Sequence, residues 1–107
     1  VGSDVTIKFN SSKIPIIEEA LSLARMGIIP AGAYKNMEYI KEQVKISKTV
    51  VQEIIDCICD PQTSGGLLIS VEKNKSQLLL DELKKSKTPY ALIGEVLEKQ
   101  DYRIIVE

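Results

Sequence analysis

The sequence has no histidine. The commonest general base near neutral pH and the commonest zinc ligand are therefore missing. Serine-hydrolase and cysteine-protease triads lose their usual base. Any chemistry would fall to carboxylates, lysines or a metal held by oxygen. Tryptophan is absent too, and the aromatic set is Phe9 with four tyrosines. That set is too sparse for a platform on which nucleic-acid bases stack. No apolar run approaches the roughly 18 residues that span a bilayer. Residues 1–20 carry neither a basic start nor an apolar leader core. Neither sign of charge dominates, since 14 basic and 15 acidic residues leave a net charge of −1. Nothing in that balance points to nucleic acid or to a membrane surface. A cytoplasmic protein is expected from these absences.

Cysteine is scarce as well. Cys57 and Cys59 are the two present, in a C-x-C arrangement. Two thiols are too few for a structural zinc site, and the spacing is not C-x-x-C. On a helix they would diverge by about 200°. One buried thiol and one partly exposed thiol, in a reducing compartment, is the expectation.

The 107 residues suffice for one small domain with one core. "DVTIKFN" alternates Val5, Ile7 and Phe9 with polar residues, the pattern of a half-buried strand. "SSKIPIIEEALSLARMG" predicts a helix capped by Ser11 or Ser12, with Pro15 in its first turn and Gly27 as its stop. A short helix is predicted over Tyr34 to Glu42. Val50, Val51, Ile54, Ile55 and Ile58 recur at helical spacing, and Pro61 should end that helix at Asp60. "GLLISV" is a continuous apolar run after a turn, which predicts a central strand covered on both faces. "EKNKSQLLLDELKKSK" reads as an amphipathic helix with lysines at its negative end. "YALIGEVLEK" and "YRIIVE" read as two strands joined by a tight turn near Gln100 and Asp101. Gly94 inside the first implies a bulge or a close backbone approach. The predicted class is α+β: a mixed four-stranded sheet with amphipathic helices packed on it, in the order β-α-α-β-α-β-β. Residues 1–107 form a single domain. A strand so near the first residue suggests a piece of a longer protein.

"CDPQTSGGLLISV", Cys59 to Val71, concentrates turn chemistry. Asp60 can accept hydrogen bonds from turn amides. Thr63 and Ser64 bring hydroxyls. Gly65 and Gly66 allow positive φ and let a ligand approach the backbone without a Cβ in the way. Successive amides in such a turn can form an anion-binding nest. Equally, a helix stop, a proline and a diglycine before a strand are what a plain connection needs. No lysine or arginine lies between Lys48 and Lys73, so a phosphate here would need positive charge from elsewhere. "PAGAYKN", with Pro30, Gly32, Lys35 and Asn36, is by itself a loop and a helix start.

At "DPQTSGGLL" the sequence resembles the selenophosphate synthetases (selenide, water dikinases), whose C-terminal domain carries a nearly identical stretch. Two further segments follow the family in order. "MGIIPAGAYKN", Met26 to Asn36, is similar to its Gly-x-x-Pro-Gly-Gly-x-x-x-Asn segment, and "ALIGEV", Ala91 to Val96, to its Ile-Gly-Glu strand. The resemblance runs from about Val5 to Glu107. Ala31 replaces a family glycine, and Lys35 replaces the usual arginine. The family's N-terminal domain, with its Cys or selenocysteine, catalytic lysine and metal-binding aspartates, has no counterpart in these residues. The chain resembles the latter part of a C-terminal domain of the type shared with aminoimidazole ribonucleotide synthetases.

The resemblance implies that the full-length enzyme converts ATP, selenide and water to selenophosphate, AMP and phosphate. Mg2+ and ATP are its cofactors, and neither is expected to bind tightly to this fragment. The implied partners are an N-terminal ATP-binding domain and a second subunit in a homodimer. Thr63, Ser64, Gly65 and Gly66 would form a loop facing phosphate. Asn36, Gln62 and Asp60 are weaker candidates, with Asp60 bracing the loop. No metal ligand and no catalytic residue is expected here, Cys57 and Cys59 included, and the fragment alone should be inactive. The competing reading is a free-standing, non-catalytic domain that binds a ligand or associates with itself.

Overall fold

The computed structural model describes residues 3–107. Strand β1 is Val5–Phe9, and a single 3-10 turn, Ser11–Lys13, follows it. Helix α1 is Glu18–Arg25, α2 is Ala31–Ile40, β2 is Val44–Ile46 and α3 is Gln52–Ile58. Helix α4 is Ser76–Lys85, and β3, Gly94–Glu98, and β4, Ile104–Val106, close the chain. The α+β class and the mixed four-stranded sheet are as expected. The element order is β-α-α-β-α-α-β-β, with one helix more than the expected order and with a strand between α2 and α3 in place of the one expected after α3.

The sheet runs β2-β4-β1-β3. Strand β1 pairs antiparallel with β3 and parallel with β4, and β4 pairs parallel with β2. The last two strands are therefore not paired with each other; they flank β1. Thr6 explains how their connection is held. It is fully buried, its Oγ1 donates to the Tyr102 carbonyl at 2.7 Å, and it accepts from the Gln100 amide at 2.8 Å. A buried hydroxyl with both roles filled is stabilising, and it pins the crossing chain under β1.

Besides the unpaired last strands, α2 begins at Ala31 and not at Tyr34, and two further segments differ from the sequence expectation. "GLLISV" is not a strand. Leu67, Leu68, Ile69 and Val71 are unpaired and exposed, Leu67 at 90 %. The sheet takes Val44–Ile46 as its fourth strand instead, through the parallel register Val44↔Ile104 and Ile46↔Val106. Helix α1 also starts later than read. Ser11 and Ser12 belong to the 3-10 turn, where the Asn10 carboxamide oxygen accepts from the Ser12 amide at 3.1 Å. Gly27 does end α1: its φ is +75°, its amide donates to Ala24, and the Ile28 amide donates to Leu23. That is the Schellman arrangement, which favours glycine at this position.

The core gathers on one face of the sheet. Ala33, Ile55 and Cys59 are buried, with Ile29, Met37, Ile40, Ile46 and Val50 packed around them. A small apolar cavity of about 80 Å³ lies between Met37 and Ile55 on the helices and Phe9, Ile104 and Val106 on the sheet. The other face is open, with a groove of about 450 Å³ lined in part by Lys8, Lys45, Gln100 and Glu107. Gly94 shows the expected close approach. A Cβ there would overlap the Lys8 carbonyl oxygen across the β1–β3 pair.

Candidate functional site

Helix α3 and helix α2 meet at the start of the Asp60–Gly66 loop. The hydrophobic cluster is the reason: Ala33 on α2 packs with Ile55 and Cys59 at the end of α3. Helix α3 stops as Pro61 requires, with Cys59 as its cap residue; the Cys59 amide donates to the Ile55 carbonyl and the Asp60 amide to the Cys57 carbonyl. The Asn36 side-chain amide then donates to the Cys59 carbonyl at 2.8 Å. It satisfies one of the carbonyls that a helix C-terminus leaves open. Pro61 lies on Gly32. A Cβ at Gly32 would stand 2.5 Å from the Pro61 Cγ. "PAGAYKN" and "DPQTSGG", separate in sequence, are thus two sides of one structure.

The loop itself is shaped by its backbone. The Gln62 amide donates to the Asp60 carbonyl at 3.0 Å, closing a three-residue turn about Pro61. That bond uses the main-chain carbonyl oxygen of Asp60. Thr63, Ser64, Gly65 and Gly66 are all exposed, as is Gln62, and Asp60 is half-buried. Neither glycine uses its conformational licence: among the described residues positive φ occurs at Asp4, Gly27 and Lys87. The expectation of an anion nest at Gly65–Gly66 is corrected on that ground, because a nest alternates right- and left-handed backbone. Gly65 instead makes room for Gln62, whose Oε1 would stand 2.7 Å from an added Cβ. Around Gly66 nothing lies within 4 Å, so its lack of a side chain answers to no contact within the chain.

Electrostatics near the loop is negative. Burial, then Asp56, Asp60 and Glu53, push the Cys57 thiol up; burial and Asp56 do the same for Cys59. Both stay protonated thiols at neutral pH and are poor nucleophiles. Cys59 is buried and Cys57 half-buried, as the spacing implied. Among the described residues no three histidine, cysteine, aspartate or glutamate side chains come together as a metal-ligand set. The Thr63 and Ser64 hydroxyls and the open backbone at Gly66 can all be reached from solvent. No helix among the described residues is long and apolar enough to cross a membrane.

The sequence signals had marked these loops individually. Their union had no such signal, because the Asn36–Cys59 bond spans 23 positions. The chain belongs to the AIR synthase related protein, C-terminal domain family, which it matches over residues 1–107. Among its relatives is a protein named "Selenide, water dikinase" from Clostridium botulinum (strain Eklund 17B / Type B). That protein is 44 % identical over 107 residues, covering 99 % of this chain and 31 % of the relative. A protein of the same name from Caldanaerobacter subterraneus subsp. tengcongensis is 50 % identical over 105 residues, covering 97 % of this chain and 30 % of the relative. Another, from Campylobacter jejuni subsp. jejuni, is 36 % identical over 106 residues, covering 99 % and 30 %. The chain spans about a third of the length of these relatives.

Proposed function

We propose that this chain is the latter part of the C-terminal domain of an ATP-dependent selenophosphate synthetase. The parent enzyme would convert ATP, selenide and water to selenophosphate, AMP and phosphate. The observation that carries the site is the union of α2 with the Asp60–Gly66 loop, through Asn36 and Cys59 and through Gly32 and Pro61. The name that its relatives share, selenide, water dikinase, supports the reaction.

In this reading Thr63 and Ser64 present hydroxyl donors to phosphate, and the Gly65 and Gly66 amides stand behind them. Preorganised donors aimed at phosphate oxygens are what phosphoryl transfer asks of a protein. The loop brings no cation, so the positive charge comes from Mg2+ and from the ATP-binding domain, which is the partner of this one in a cytoplasmic homodimer. ATP and Mg2+ supply the reacting phosphates and their charge neutralisation when bound. This chain's residues position; none of them reacts. The absence of a preformed nest fits weak binding by the chain on its own. The alternative, a non-catalytic self-association domain, finds its support in the exposed run Leu67–Val71.

The test is a chimera in which residues 5–107 replace the matching segment of the Caldanaerobacter relative. Selenide-dependent release of AMP from ATP is expected. A folded chimera that binds its N-terminal half normally yet shows no such release would contradict the proposal.

A further inference from the structure

The space between the sheet and helices α2 and α3 is not filled: a cavity of about 80 Å³ remains there. Its strand wall is Phe9, Val44, Ile46, Ile104 and Val106. The registers Phe9↔Val106, Ile46↔Val106 and Val44↔Ile104 bring these side chains to one face. Its helix wall is Met37 and Ile40 on α2, with Ile55, Ile58 and the cap residue Cys59 on α3. Most of these residues are isoleucine or valine. A branched Cβ restricts χ1, so they cannot turn into the gap. The sequence has no tryptophan, and its one phenylalanine, Phe9, already stands in the wall. No lining side chain carries nitrogen or oxygen. A buried water needs several polar partners, so a cavity walled in this way stays dry.

We infer that this cavity is a binding site for one compact, uncharged, apolar molecule, the size of a noble-gas atom or of a hydrocarbon of about three carbons. A dry cavity of about 150 Å³ admits benzene or xenon, and this one has roughly half that volume. A charged or hydrogen-bonding guest would lose its water and find no partner. The sulfurs of Met37 and Cys59 add polarisable contact. Met37 also gives access. It is unbranched and half-buried, and it can swing aside where the branched residues cannot. Ile58, at 42 % the most exposed member of the wall, stands on the solvent side. Occupancy acts on the loop above it. Cys59 belongs both to the cavity wall and to the joint with Asn36 from which the Asp60–Gly66 loop departs. A guest in the gap holds α2 and α3 at their present spacing and so firms that anchor. The site is separate from the phosphate-facing hydroxyls and does not depend on the reaction proposed above.

Methyl NMR of the whole chain under xenon pressure tests this. The Met37, Ile55 and Ile104 methyls should shift and saturate, while those of Ile17 and Leu78, exposed and away from the wall, stay put. Val44→Ile adds one methylene to the wall and should weaken xenon binding by about fourfold or more, the worth of the contact it takes up. A second readout needs no substitution. A guest favours the closed form by one plus its concentration over Kd, so at half-saturating xenon iodoacetamide should alkylate Cys59 about half as fast. Shifts that grow without saturating, or that appear equally at Ile17 and Leu78, would overturn the inference. So would a Val44→Ile chain that responds as the unaltered chain does, or Cys59 alkylation that saturating xenon leaves unchanged.

Discussion

The side-chain amide of Asn36 donates to the main-chain carbonyl of Cys59 at 2.8 Å, and this bond joins the middle of α2 to the end of α3. It makes the candidate site part of the core rather than an appendage. Cys59 is buried among Ala33 and Ile55, and the loop leaves directly from it.

Asn36→Ala should lower stability by about 1 kcal/mol, because the Cys59 carbonyl loses its partner at a partly buried place. Asn36→Asp should be worse at neutral pH, since a carboxylate would face a carbonyl and both only accept. The introduced carboxyl would have a raised pKa in the fold. Its penalty is therefore absent below the ordinary carboxylate range, where it can donate, and grows as pH rises through it. Urea unfolding of both variants at acid and neutral pH checks the ordering. Equal stability of the two at neutral pH would contradict the bond.

Three glycines should respond in a fixed order to replacement by alanine. Gly94→Ala is the most damaging, because the new methyl meets the Lys8 carbonyl oxygen of the neighbouring strand. Gly32→Ala meets the Pro61 ring and should cost about 1–3 kcal/mol, the range for overpacking. Gly66→Ala meets nothing within 4 Å and needs no positive φ. Its change in stability should stay within about 0.5 kcal/mol. Thermal unfolding of the three variants reads the order directly.

The thiols should be slow. Burial and neighbouring carboxylates raise both cysteines above their ordinary range. Iodoacetamide at neutral pH should therefore modify each more slowly than a free cysteine, with Cys59 slower than Cys57. Mild denaturant should abolish the difference. Rapid modification of Cys59 in the folded chain would mean that the α2–α3 core is open.

Acid should weaken the sheet's periphery. Arg103 and Lys99 hold the Asp4 carboxyl below its usual range, and Lys8 does so for Glu95. Glu53 is lowered by its own backbone amide and by Arg25. A carboxyl lowered in the fold contributes stability above its unfolded pKa and loses it as pH falls through the folded value. The midpoint of unfolding should therefore fall as pH drops through and below the carboxylate range. Glu95→Gln should flatten that fall. Because these pairs are exposed, added salt should flatten it too.

Much of this fold could be read from local chemistry. Gly27 stops α1, Pro61 stops α3, and Val5, Ile7 and Phe9 announce β1, each by a rule that acts within a few residues. The failures have a common physical origin in partners distant along the chain. Val44–Ile46 has three residues, too few for a visible alternation, and is a strand only because β4 lies beside it. Leu67–Val71 has the composition of a central strand, but composition does not supply a neighbour. The site divides in the same way. Turn chemistry marked Thr63 to Gly66, whereas nothing local tied Asn36 to Cys59 or Gly32 to Pro61. Gly65 and Gly66 allow positive φ, and their backbone does not use it.

The most direct test of the loop is Thr63→Ala and Ser64→Ala in the chimera, with AMP release and thermal stability measured on the same samples. Both hydroxyls are exposed, so the unfolding midpoint should hardly move. If they face phosphate, each variant should lose activity about tenfold or more, as loss of a donor to developing charge does. Unchanged turnover at unchanged stability would show that the loop is a connection and not a phosphate site.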